Sequence, residues 1–524
     1  VRELGVQRKT IGDRGQRLVD HEARRDAEPW SQADFAGLAV LVVALLAALV
    51  WLVHPWYDPM IDGSIYISTA RSLLAGEGYT YLGTPFHLRP PGFSLLLAPV
   101  LQVAGTNFHL VNLFVAGFGC ASLVLLYVWV RPRLGAGLAL LVCVTVGTNP
   151  VFLTLCNQVM SDIPGVFFVL ASLLLARNSE RNPSLANEIA LGVCIAASAY
   201  VRVLGAMVIP AILVERALRH VRNPSSKTSH AQFALKQVAP LLITTLVLLA
   251  PWGIRNQVAV AAPPADQLLN YSYSTALFHY DFGDPSSPFV SASDWGTRIL
   301  TRCNEIIAAV ATRLQEKTPT LGHIAISTVV FALFLYGLIA SPSVAGFFIL
   351  FSLVITGSYF AFQDRLLLPV FVVLVPLVAI ATHRLLSAIL GKAGASVSVA
   401  VVLAAICVAD FAPRAQWNEI EARHQRSSRI ADSLRAALPA DSRLATVRGF
   451  HLHAMLDQPV YSLRWGYRLG AGMAGIDAVI DRYGVNTLVF DSQSKLDSEY
   501  EPALVAKYGA PTAVGEVRVL RVRD

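Results

Sequence analysis

Charge is scarce in this chain. Asp, Glu, Lys and Arg make up 15% of its 524 residues, against roughly 25% in ordinary soluble domains. That excludes a chain kept in solution by a charged surface along its whole length. Cysteine is also sparse. Cys120, Cys143, Cys156, Cys194, Cys303 and Cys407 are scattered, with no Cys-x-x-Cys spacing, so neither a zinc site nor a disulfide framework is indicated. A Cys156–Cys303 bridge on the outer face is the one pairing weighed. Internal repeats and low-complexity runs are absent, as is a Gly-x-Ser-x-Gly hydrolase elbow.

What the chain has is apolar sequence, 54% of it, bunched into runs. A bilayer core of roughly 30 Å needs about 20 apolar helical residues to cross it. A polar, mixed-charge tail covers 1–34, and the first run follows at 35–53. A signal peptide has a short basic start, so this run reads as a retained anchor. Further spans are expected at 107–130, 135–155, 163–177, 186–201, 204–218, 237–254, 321–340, 344–361, 366–383 and 396–412. That gives about eleven crossings and a polytopic α-helical membrane domain over 35–412.

Arg131, Arg133, Arg177, Arg181, Arg216, Arg219, Arg222, Lys227, Lys236, Arg384 and Lys392 then fall on the side of the N-terminal tail. By the positive-inside rule that side is the cytoplasm. The outer loops 54–91 and 255–320 and the C-terminal part face outward. The formal net charge of +7 reads as basic loops near anionic headgroups, not as a nucleic-acid surface. From 413 to 524 a polar helix (419–438), β-like runs at 444–447, 485–490 and 517–522, and helical patterns at 474–483 and 497–508 point to a small α/β extracytoplasmic domain.

The chemistry concentrates in the first outer loop. Asp58-Pro59 fits a helix start and Gly76 its end. Asp62 falls in the first turn, where the helix dipole favours a carboxylate, and Tyr66 lies one turn on. Two readings stand for Asp62: a dipole partner, or a catalytic acid/base. Asp58 reads as a cap.

The pattern formed by Asp62, Tyr66, Ala70, Arg71, Leu73, Gly76, Gly78 and Tyr79 resembles the first periplasmic loop of GT-C membrane glycosyltransferases. The protein O-mannosyltransferase-like and aminoarabinose transferase-like enzymes are the nearest groups. Arg89-Pro90-Pro91-Gly92-Phe93 resembles their Pro-Pro-Gly segment, and Ser161-Asp162 an acidic position in their second outer loop. Asp364-Arg365-Leu366-Leu367-Leu368-Pro369 resembles their Arg-Tyr-Leu-Leu-Pro signature, with Leu366 in place of the aromatic.

The resemblance implies transfer of a sugar from a polyprenyl-phosphate carrier to a lipid, glycan or protein acceptor outside the cytoplasm, in a bacterial inner membrane. Asp62 would be the general base. Arg89 and Arg365 would hold the donor phosphate. Asp162 would be a second acidic group, or only the cap of its helix. Arg365 equally suits snorkelling to headgroups. Arg202 and Arg255 are weaker substrate-binding candidates that suit structural pairing better.

No essential cofactor is expected, although Asp58, Asp62 and Asp162 could together form an oxygen-rich site for a divalent metal. His451 and His453 lack a third ligand and read as surface residues. Tyr271, Tyr273, His279, Tyr280, Asp281 and Asp284 in the second outer loop suit sugar stacking or an interfacial aromatic belt equally. No glycine-rich phosphate cradle follows a strand, which argues against a nucleotide-sugar donor. The rival class is a transporter or flippase of a lipid-linked sugar, which would put ionisable groups at mid-membrane.

Overall fold

The computed structural model describes residues 29–58, 61–222, 232, 234–258, 273–281, 287–315, 318–360, 363–410, 415–447, 449–456, 458–463, 472–491 and 494–522. Among the described residues, fifteen α-helices precede the C-terminal part. They are α1 (Gln32–Leu52), α2 (Ile61–Leu74), α3 (Gly92–Ala104), α4 (Phe108–Leu134), α5 (Ala136–Gly147), α6 (Pro150–Cys156), α7 (Asp162–Arg181) and α8 (Leu185–Val201). After these come α9 (Val208–Arg222), α10 (Ala239–Val258), α11 (Tyr273–Phe278), α12 (Ala292–Ala311), α13 (Leu321–Ala340), α14 (Val344–Ser358) and α15 (Leu368–Asp410). A hairpin of β1 (Thr80–Tyr81) and β2 (Thr84–Pro85) separates α2 from α3.

Six described helices are long and apolar enough to cross a bilayer, and α5 with α6, bent by 69°, makes a seventh if counted as one span. Each run read as a span is helical over most of its described residues, but α8, α9 and α14 are only 17, 15 and 15 residues long, short of the roughly 20 a crossing needs. The α5–α6 bend is set by Asn149, whose side chain accepts from the Val151 and Phe152 N–H groups, with Pro150 opening α6.

The 43 residues of α15 would reach about 64 Å if straight. They are not straight. Gly391 breaks the helix at φ 73°, and His383 Nε2 lies 3.1 Å from Ser396 Oγ across the break. Thirteen residues of straight helix would part those groups by roughly 20 Å, so the chain turns back on itself there, between the runs read as 366–383 and 396–412.

Two further features went unread. Helix α3 lies ahead of the run at 107–130, and the second outer loop contains the 20-residue amphipathic α12. All six cysteines are free, with Cys156 buried and Cys303 exposed, so the Cys156–Cys303 bridge is absent. Some of the basic residues used for orientation are internal partners. Arg131 pairs with Asp34 at 3.0 Å and its guanidinium lies 3.9 Å from the Trp30 ring centroid. Arg216 pairs with Glu188 at 2.9 Å.

The C-terminal part contains α16 (Ala415–Ala437), β3 (Leu444–Thr446), α17 (Gly449–Met455), β4 (Val460–Ser462), α18 (Met473–Tyr483), β5 (Thr487–Asp491), α19 (Lys495–Tyr508), β6 (Thr512–Val514) and β7 (Val517–Arg521). The sheet order is β4-β3-β5-β7-β6, with β3 parallel to β4 and β5 and β7 antiparallel to β5 and β6. Successive strand residues point to opposite faces. One face (Ala445, Leu488, Phe490, Leu520) packs on Ile476, Val479 and Leu504 of α18 and α19. The other (Leu444, Val489, Val519) packs with Ile430 and Leu434 of α16 and runs without a break into the apolar core of the membrane helices.

Gly92, at the start of α3, lies against the backbone of the α8 end. A Cβ there would sit 2.5 Å from the Tyr200 carbonyl carbon, a backbone atom that cannot swing aside. Gly92→Val is therefore expected to cost at least the ~1–3 kcal/mol of an overpacked core site, read as a lowered Tm in detergent. A Tm equal to wild type would mean that this approach is not tight.

Candidate active site

Five charged side chains from five segments meet at one level of the protein, each at a helix end. Asp62 is in the first turn of α2 and Asp162 is the first residue of α7. Arg89 precedes α3, Arg202 ends α8, and Arg365 lies in the single 3-10 turn (Asp364–Leu367) ahead of α15. The Asp62 Oδ1 accepts from Arg89 Nη2 and its Oδ2 from Arg365 Nη2, both at 2.5 Å. Arg365 Nη1 reaches Asp162 Oδ2 at 3.5 Å, and Arg202 Nη2 sits 2.9 Å from Asp162 Oδ1. Three guanidiniums thus face two carboxylates, leaving one positive charge in excess within the set.

Local sequence explains the convergence. Gly63 lets the start of α2 approach the 157–161 segment: a Cβ there would lie 2.9 Å from the Val159 carbonyl oxygen. Tyr66, one turn beyond Asp62, shares a hydrogen bond with Ser161 Oγ at 2.9 Å. Its ring sits 5.8 Å from the Arg89 guanidinium and edge-on to Phe93. Asp162 is fully buried, while the other four side chains are 12–18% exposed, so the cluster is largely dry yet open on one side.

Burial alone would push the Asp62 carboxyl up. The Arg365 and Arg89 guanidiniums outweigh it and hold the carboxyl well below the usual carboxylate range. Tyr359, just after α14, lies within electrostatic reach of Arg89, Asp62, Arg365 and Arg202. Sequence reading missed it because nothing in its spacing marks it; its only signal is its place a few residues before Asp364-Arg365.

The remaining candidates lie elsewhere. Arg255 donates to the Tyr79 and Phe86 carbonyls at 2.8 and 2.9 Å and stacks near Trp252; it pins the hairpin loop and stands outside the cluster. Asp58 accepts from Gln158 Nε2 at 2.7 Å and from Arg423 Nη2 at 3.3 Å. Asp58, Asp62 and Asp162 therefore do not share one site, and among the described residues no three His, Cys, Asp or Glu side chains come together as a metal-ligand set.

His453 is not a loose surface group. Its Nε2 lies 2.7 Å from Ser68 Oγ and its Nδ1 2.9 Å from the Gln458 carbonyl. The His451 side chain, the Tyr273 side chain, Tyr271 and Asp284 lie outside the described residues. In the second outer loop, the Tyr280 hydroxyl bonds to Asp294, at the start of α12, and the Asp281 N–H to Ser287.

The fold is similar to that of ArnT from Cupriavidus metallidurans. The structure of that protein bound to undecaprenyl phosphate aligns with a TM-score of 0.62 at 13% identity, covering 93% of this chain and 98% of that one. The apo structure aligns at 0.60 with the same identity and coverage. This chain has the GT-C fold of a multi-pass membrane protein. Its GT-C domain carries the second likeness: residues 88–252 match the family described as dolichyl-phosphate-mannose-protein mannosyltransferase. That stretch contains Arg89, Asp162 and Arg202.

The archaeal oligosaccharyltransferase AglB from Archaeoglobus fulgidus, in complex with an inhibitory peptide and a dolichol-phosphate, aligns with a TM-score of 0.52 at 11% identity, over 94% of this chain and 74% of that one. A search among curated proteins by sequence finds no match.

Because Asp62 is held low by its arginines, the ion pairing is present above the usual carboxylate range and lost only as pH falls through the depressed value. At pH 4, where a free Asp is about half protonated, infrared difference spectra of wild type against Asp62→Asn should show no protonated-acid band from Asp62. Arg365→Ala should make that band appear. A band already present in wild type would mean that the clamp is weaker than its geometry.

Proposed function

We propose that this GT-C protein is a polyprenyl-phosphate-sugar-dependent membrane glycosyltransferase acting on the extracytoplasmic face, with Asp62 as general base. The observation that carries the reading is the Asp62 carboxylate held between Arg89 and Arg365 in a set with excess positive charge. A donor phosphodiester brings an anion that competes with Asp62 and Asp162 for the same guanidiniums. As it enters, Arg89 and Arg365 turn toward phosphate oxygens. Asp62 then loses part of its cationic surroundings and gains proton affinity. Substrate binding thereby converts a clamped carboxylate into a usable base.

In the chemical step the acceptor hydroxyl oxygen bonds to the anomeric carbon. The bond from that carbon to the phosphate oxygen breaks, the bonding pair leaves with polyprenyl phosphate, and the hydroxyl proton passes to Asp62. Arg89 and Arg365, with Arg202 behind them on Asp162, stabilise the charge that grows on the leaving phosphate. In this scheme guanidiniums do the electrostatic work, so chelation of divalent ions with EDTA is expected to leave turnover unchanged; a loss restored by Mg²⁺ or Mn²⁺ would overturn that point.

The transporter reading expects ionisable groups at mid-membrane. The five-residue cluster, with every member at a helix end, favours a reaction at one surface instead.

The deciding assay is transfer of labelled sugar from polyprenyl-phosphate donors to a membrane extract by purified protein. Asp62→Asn should retain donor binding and lose about 10²–10⁴-fold in kcat. Arg365→Ala should mainly weaken donor binding. Unchanged transfer by Asp62→Asn would move the base role to Asp162. Movement of lipid-linked sugar between leaflets without transfer would replace the enzyme by a transporter.

A further inference from the structure

Residues 53–58, which follow α1, form neither helix nor strand, yet their backbone is satisfied by side chains. The His54 N–H donates to Asn157 Oδ1 at 2.9 Å, and Asn112 Nδ2 donates to the His54 and Trp56 carbonyls at 3.0 and 2.9 Å. The Trp56 N–H donates to His54 Nδ1 at 3.3 Å. These partners all lie within the segment or the membrane helices and their loops. The next amide differs. The Tyr57 N–H donates to Nδ1 of His424, at 3.1 Å, across 367 residues of sequence.

Tyr57 itself is buried. Its ring stacks on Phe108 at 4.6 Å and its hydroxyl lies 2.8 Å from Ser64 Oγ, one residue past Gly63 on α2. A buried amide left without an acceptor is destabilising, so the His424 contact decides where this segment rests.

We propose that His424, from the C-terminal part, is a positioning residue for the reaction proposed above: it fixes Tyr57, and through the Tyr57–Ser64 contact the start of α2 that presents Asp62 to Arg89 and Arg365. The proposal rests on that functional reading. A second contact from the same part, Ser68 to His453 at 2.7 Å, grips α2 further along, so the C-terminal part holds the Asp62 helix from two sides.

Only a neutral imidazole can serve. Imidazolium carries hydrogen on both nitrogens and accepts nothing, so protonation of His424 ejects the Tyr57 amide. The groups facing it are His54 and Asp58 of the segment, Arg423, Ser428, Asp432 and Arg435 of α16, and the uncharged Asn107 and Phe108 at the start of α4. A crevice of about 280 Å³ between α16 and the α3–α4 turn opens onto His424 and gives protons a route from solvent. Burial pushes the imidazole below its ordinary 6.5. The contact is therefore complete at neutral pH and is lost as pH falls through that lowered value.

The test uses the full-length protein in detergent, with two readouts. His424→Ala should lower kcat by about 10–100-fold with little change in donor KM, because Arg89 and Arg365 stand on other segments. Hydrogen exchange in the peptide spanning 54–58 should accelerate, with the rest of the chain unchanged. His424→Asn offers an oxygen near the Nδ1 position that does not titrate. It should restore turnover and shift the acid limb of the pH profile to lower pH, leaving only the limb set by protonation of Asp62.

An Ala variant with wild-type kcat and wild-type exchange overturns the proposal. So does an Asn variant whose acid limb stays where the wild type's lies, and so does exchange that rises throughout the chain, which would make His424 a folding residue only. If the wild type transfers no sugar, the exchange arm still decides: local acceleration upholds the positioning contact, and its absence refutes it.

Discussion

Everything at the candidate site depends on one carboxylate held by two guanidiniums. Asp62 sits between Arg89 and Arg365 at hydrogen-bonding distance from both, and that contact can form only if α2, the turn before α3 and the turn before α15 all end at the same level. The α3 end is set by Gly92 against the α8 backbone and the α2 end by Gly63 against Val159. Asp162 and Arg202 extend the same alternation of charge onto α7 and α8. Buried charges are tolerated only when paired, so the helix ends and the charge set fix one another.

That mutual dependence explains what the sequence disclosed. Asp62, Asp162, Arg89 and Arg365 carry recognisable neighbours, because a first-turn Asp, a Pro-Pro-Gly entry and a helix-capping Asp-Ile-Pro are local devices. Arg202 looked like a span-end arginine and Arg255 like its equal. Only packing separates them, since one reaches Asp162 while the other turns to the Tyr79 and Phe86 carbonyls. Tyr359 and His424 were illegible because their relevance depends on contacts made far along the chain.

The fold followed the same division. Long apolar runs gave the helices, and short β-like runs marked β3, β5 and β7. Strands β4 and β6 are three residues each and stand in no such run. The fold-back at Gly391 is a single positive-φ residue inside a continuous apolar stretch. Asp58, read as a cap, gains its meaning from Gln158 and Arg423, a hundred and more than three hundred residues away.

The sheet of the C-terminal part has one face covered by its own α18 and α19 and the other merged into the membrane core. Such a unit keeps only one side of its core to itself. Cut free from the helices, it would present Val489, Val519 and their neighbours to water and tend to associate with itself. A mutation in that sheet would be felt in the packing of the membrane helices, not as loss of an appendage.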